Sequence, residues 1–225
     1  MERIKRYCNA VPPTVEFAIV VALAFGMPIL GSVLTFAIGG QEGSISQDGL
    51  QSLIIHEAIV FVALASFLIL RGWSAPRIGL VPSLKNSAIG LALAFIGWQL
   101  SGFAVLVVGS FLPDVMAEAR APSFVSPGFA VSTVLLASAV NGFFEEVFVA
   151  GYIITALKER RGFWFAINVS VAIRLSYHLY QGPVGVAGIV PIGLLFGYFY
   201  ARTGQLWPLV FAHALIDALA LLQFA

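Results

Sequence analysis

Cysteine is nearly absent. Cys8 is the only one in 225 residues, which excludes an internal disulfide framework and a thiolate zinc site, and leaves at most a bystander or a palmitoylated thiol beside the membrane. Charge is scarce as well: charged residues make up 10% of the chain and the net charge is +1. With no basic stripe and no basic-aromatic platform to track phosphates, nucleic acid is excluded as a partner. No linker, charge block, low-complexity segment or internal repeat marks a domain boundary.

What the chain has is apolar surface. Hydrophobic residues make up 60% and the mean hydropathy is +0.96, outside the range of soluble domains. The sequence therefore predicts an all-α, polytopic transmembrane helical bundle, with residues 1–225 as a single integral membrane domain in the lipid bilayer. Uninterrupted apolar runs predict about seven spans, within a range of six to eight, near residues 14–38, 52–70, 87–112, 128–157, 163–180, 184–201 and 206–224. The first run is too long for a signal-peptide core and reads as a retained helix. Alternate loops carry Arg71, Arg77 and Lys85, then Lys158, Arg160 and Arg161, then Arg202, while the opposite side has Arg120 beside Glu42, Asp48, Asp114 and Glu118. That bias predicts a cytoplasmic N-terminus and a C-terminus on the opposite side. The proline-rich stretch 113–127 reads as a loop outside the membrane. Gly193 and Gly197 have the spacing of a close helix contact, which signals packing rather than chemistry.

Within the apolar runs stand a few expensive groups: Glu145 and Glu146, then Arg174 and His178, then His213 and Asp217. A charged group at the centre of a spanning helix costs about 2.5–3.5 kcal/mol, so polar residues at that depth are usually kept for chemistry. Residues four apart share a helical face, which pairs Arg174 with His178 and His213 with Asp217. Adjacent glutamates are turned by about 100° from one another and can still border one cavity. Such a set can activate water, coordinate a divalent ion or relay protons. His56 and Glu57 lie near the outer end of the second span, within reach of water or headgroups, and Glu16 lies at the inner edge of the first. Counting at about 1.5 Å per residue from the cytoplasmic ends places His178 deeper than His213. A common site then requires a short fifth span, with residues near 163–168 at the interface.

The segments EEVFVAG (Glu145 to Gly151), RLSYH (Arg174 to His178) and HALID (His213 to Asp217) together resemble the CPBP family of CAAX proteases and bacteriocin-processing enzymes, also called Abi, related to the type II CAAX prenyl protease. The resemblance covers roughly residues 128–220. It implies an intramembrane endopeptidase in which Glu145 and His178 activate water, while His213 and Asp217 stabilise an oxyanion or orient the site, with Glu146 completing the catalytic set. Two positions depart from the family pattern: Ala150 stands where the motif has arginine, and Arg174 where it has phenylalanine. Arg174 is therefore expected to replace the missing cation as the ion-pair partner of Glu146. No metal or other cofactor is favoured; a zinc variant would use Glu145, His178 and His213. The implied partner is a membrane-associated peptide or protein substrate. The rival functions are a proton-coupled transporter, which the confinement of the polar cluster to the second half disfavours, and a catalytically silent membrane scaffold or immunity protein.

Overall fold

Serine caps and proline or glycine breaks divide the apolar runs into helices. The computed structural model describes residues 7–8, 10–38, 45–113 and 128–225, so the predicted loop lies outside the described residues beyond Pro113. Helix α1 is Pro13–Ile38, α2 is Gln47–Leu70 and α3 is Leu84–Phe111. Ser46 accepts from the Gly49 backbone N–H and Ser83 from that of Asn86, both at 3.1 Å, satisfying donors that a first turn leaves bare. Next, α4 (Val131–Glu145), a π-helical segment (Glu146–Tyr152) and α5 (Ile153–Arg161) form one continuous rod. Helix α6 (Phe163–Ser176) is followed by a 3₁₀ turn (Leu179–Gln181), α7 (Gly182–Thr203) and α8 (Trp207–Leu222), the last entered through Pro208.

Among the described residues the fold is all-α, and five rods are long and apolar enough to cross a membrane. The other two predicted spans, 163–180 and 206–224, become shorter apolar helices, Phe163–Ser176 and Trp207–Leu222. At about 1.5 Å per residue these reach roughly 21 and 24 Å, short of a hydrocarbon core of about 30 Å. Helix α6 ends at Ser176, whose hydroxyl donates to the Ala172 carbonyl at 2.7 Å, and Tyr177 leaves the helical conformation. Gly182 at φ 70° then turns the chain into Pro183 and α7.

The rod Val131–Arg161 is the central strut: 67% of its most apolar window is buried, against 17% in α2 and in α3. Helix α8 packs against α3 and α4, while α7 packs against α3 and α6. Gly193 and Gly197 permit the last of these contacts, since a Cβ on either would lie 3.4 Å from Val171 or 3.2 Å from Ile167. The basic loops meet at one end of the bundle. There the Leu206 N–H donates to the Gly79 carbonyl at 3.0 Å and Lys158 Nζ to the Ala201 carbonyl at 2.6 Å. At the other end Gln47 Nε2 donates to Thr133 Oγ1 at 2.7 Å, tying α2 to α4.

Glu16 does more than its sequence position suggested. It is buried, pairs with Arg71, and accepts from Trp73 Nε1 and from the Tyr152 hydroxyl, each at 3.0 Å. One carboxylate thus ties α1 to the loop after α2 and to the end of the π segment. Burying it is tolerable because both of its oxygens are hydrogen-bonded and a guanidinium balances its charge.

Candidate active site

Glu145 is the last residue of α4 and Glu146 the first of the π segment. A π turn bonds i to i+5 and so frees carbonyls from the ordinary ladder, an arrangement found mostly at functional sites. Side chains from facing helices cap those carbonyls here: Ser170 Oγ donates to Val149 at 2.8 Å, and the Tyr200 hydroxyl to Gly151 at 3.2 Å. With the strut held in this form, both glutamates reach one guanidinium. Arg174 Nη2 donates to Glu146 Oε1 at 2.6 Å, and Nη1 to Glu145 Oε2 at 3.3 Å. All three side chains are buried.

From α8, His213 Nδ1 meets Glu146 Oε1 at 2.7 Å. Its Nε2 faces Asp217 Oδ2 at 3.5 Å and Glu145 Oε2 at 4.0 Å. Donation from Nδ1 to Glu146 fixes the ring and leaves Nε2 towards the other two carboxylates, so the second nitrogen is the one free to exchange a proton. The proximity of α8 depends on Gly142, one turn before Glu146, where a Cβ would lie 2.7 Å from the Ala214 backbone nitrogen. Because that neighbour is backbone, relief requires the helices to separate. Gly142→Ala is expected to destabilise the protein by about 1–3 kcal/mol and to weaken function by moving His213 away from Glu146. Unfolding midpoints in detergent, compared with Gly26→Ala, where a Cβ meets nothing within 4 Å, measure this.

His178 differs from its predicted placement. It follows the end of α6 instead of lying on it, so it shares no helical face with Arg174. It makes no hydrogen bond to a site carboxylate among the described residues. Its Nδ1 lies 3.3 Å from Gln181 Nε2 and its ring 4.7 Å from that of Tyr177. Its ring neighbour Tyr177, which hydrogen-bonds Glu145, links the turn to the cluster. The turn is held against α1 by the Tyr180 N–H, which donates to Ser32 Oγ at 2.9 Å.

Three further residues join the cluster. Tyr177 donates to Glu145 Oε2 at 2.5 Å, and Asn141 Nδ2 donates to Glu145 Oε1 at 3.3 Å and to Glu57 Oε1 at 2.8 Å. Asn141 was findable, since it lies four residues before Glu145 on one helical face. Tyr177 was not, because it lies past the end of α6, where helical spacing no longer applies. Glu57 was misread: α2 begins at Gln47, five residues before the predicted edge, so this carboxylate is buried within the helix and not at its wet end.

Among the described residues no three His, Cys, Asp or Glu side chains are grouped so as to hold a metal ion. Both His213 nitrogens face carboxylates, and Arg174 already supplies the positive charge between the glutamates.

Buried acid, base and guanidinium groups gathered between apolar helices mark a membrane protein with a polar interior site, and the comparisons with known proteins point to membrane peptidases. Residues 127–219 match the family model described as "Type II CAAX prenyl endopeptidase Rce1-like", which is similar to the CPBP family that the motifs resemble. The chain is 28% identical over 198 residues to the Bacillus subtilis protein named "Putative membrane peptidase YdiL", an alignment covering 82% of this chain and 77% of that protein. No solved structure matches.

Proposed function

We propose that this protein is an intramembrane endopeptidase that hydrolyses a peptide bond of a membrane-associated substrate near or within the bilayer. The observation that carries the reading is the convergence of Glu145, Glu146, Arg174 and His213 from the strut, α6 and α8 into one buried, ion-paired cluster. Glu145 takes a proton from water and the resulting hydroxide attacks the scissile carbonyl carbon, a general-base step. His213, held as the imidazolium between Glu146 and Asp217, donates from Nε2 to the tetrahedral oxyanion. His178, on the turn, assists in positioning the water. The carbon–nitrogen bond then breaks as the proton held by Glu145 passes to the leaving amine. Arg174 keeps Glu146 ionised and fixed. The measurement that tests this is incubation of the purified protein with apolar membrane peptides in heavy-oxygen water. New carboxyl termini should carry the label; intact peptides would leave a transporter or a silent scaffold.

The mechanism uses no metal. Chelation is expected to leave the cleavage rate unchanged, with zinc well below one per chain by elemental analysis. Stoichiometric zinc whose removal abolishes activity and whose return restores it would make the histidines ligands.

The gathering of the basic loops at one end supports a cytoplasmic N-terminus. Since Cys8 is the only cysteine, a membrane-impermeant maleimide should label intact cells' protein only after permeabilisation. Labelling without permeabilisation would invert the topology.

A further inference from the structure

A cavity of about 510 Å³ lies between α2, α4 and α8, lined among others by Glu57, Phe61, Phe143, Phe144, Val210 and Phe211. Glu57 is the single charged residue of the lining. It is only 4% exposed, and it stands about 15 Å along α2 from Gln47, ten residues at the helical rise. Its Oε1 accepts from Asn141, while its Oε2 is buried without a hydrogen-bond partner. An unpaired buried carboxylate oxygen is costly, and nothing in the ion-paired cluster uses it.

The lining specifies an occupant. It must be apolar in body, to fit walls of phenylalanine and valine, and it must bring a hydrogen-bond donor for Oε2. A lipid tail has no donor, and a hydrated cation would have to shed its water among phenyl rings. An apolar peptide locally unwound in the bilayer meets both conditions, because its backbone N–H has lost its helical partner and finds no water to replace it.

We propose that Glu57 is a substrate-positioning residue whose Oε2 accepts from a backbone N–H of an unwound peptide strand seated in this cavity. That this strand is the one hydrolysed rests on the proposed endopeptidase function. Asn141 links the two places: one amide group bonds both Glu57 and Glu145, so the strand held at Glu57 is set in register with the proposed base.

The test is binding, which does not require turnover. A fluorescent apolar peptide of about 20 residues with a central Gly-Gly is titrated into Glu145→Gln protein in nanodiscs, alongside a series N-methylated at one backbone amide each. One position should weaken binding about tenfold, as expected for a buried acceptor left unpaired. In protein that also carries Glu57→Gln, the same N-methylation should cost nothing. Gln keeps the Asn141 bond through its carbonyl and turns a donor to the cavity, where Glu57 offers an acceptor. Glu57→Met, which removes both, serves as a second variant and should abolish the N-methyl effect equally. Equal N-methyl costs with and without Glu57, insensitivity of binding to every N-methyl position, or no binding at all would overturn the proposal. An N-methyl effect that depends on Glu57, in a protein that never cleaves the parent peptide, would uphold the contact and sink the hydrolytic reading instead.

Discussion

Glu145→Gln is expected to abolish peptide cleavage while the protein still inserts and folds. The amide is nearly isosteric with the carboxylate but cannot take a proton from water, so the loss is chemical and should reach about 10²- to 10⁴-fold, the usual contribution of a positioned base. The surroundings decide how well the variant folds. Glu145 accepts from Tyr177 and Arg174 on one oxygen and from Asn141 on the other. Glutamine can present its carbonyl to the first two and its NH₂ to Asn141, which is 3.3 Å away and the weaker contact. A modest fall in unfolding midpoint is therefore expected beside that loss of turnover. Wild-type turnover by the purified variant would end the assignment of Glu145 as base.

Arg174→Phe is expected to be the most damaging change to stability. The substitution gives position 174 the residue found at that place in the family's motif, yet here it removes the one guanidinium shared by two buried carboxylates. Taking away one member of a buried ion pair costs about 3–5 kcal/mol, because the remaining charge is left without compensation. Both the unfolding midpoint in detergent and the activity should fall. Adding Ala150→Arg returns a cation to the strut, four residues beyond Glu146, and should recover part of the loss. The recovery is partial because Ala150 is 1% exposed within the core, so an arginine there has to displace packed neighbours. Additive effects in this double-mutant cycle would show that the two departures from the family motif are independent. Arg174→Lys tests the same geometry from another side: an ammonium cannot span both glutamates as a planar guanidinium does, and most of the loss should persist.

Much of the fold was legible in the residues. Apolar runs marked the seven helical rods among the described residues, because an unpaired backbone in hydrocarbon is so costly that a segment apolar enough to insert must be helical. The glutamate pair, Arg174 and His213 stood out for the same reason, as charges that a bilayer penalises. Where two of the helices would end was less legible, since the turn at Tyr177 and His178 lies within an apolar run and hydropathy does not register it.

Composition and spacing by themselves determined that the chain is an all-α membrane protein and that Glu145, Glu146, Arg174 and His213 lie at depth. Only the tertiary structure decided how those groups pair. The π segment, with its freed carbonyls capped from α6 and α7, let both glutamates meet Arg174. The close approach at Gly142 brought His213 onto Glu146. The five extra residues at the start of α2 carried Glu57 into the interior, where Asn141 joins it to Glu145. These are long-range contacts between helices distant in the chain. Helical periodicity governs which face a residue occupies, but not which other helix packs against that face or how closely.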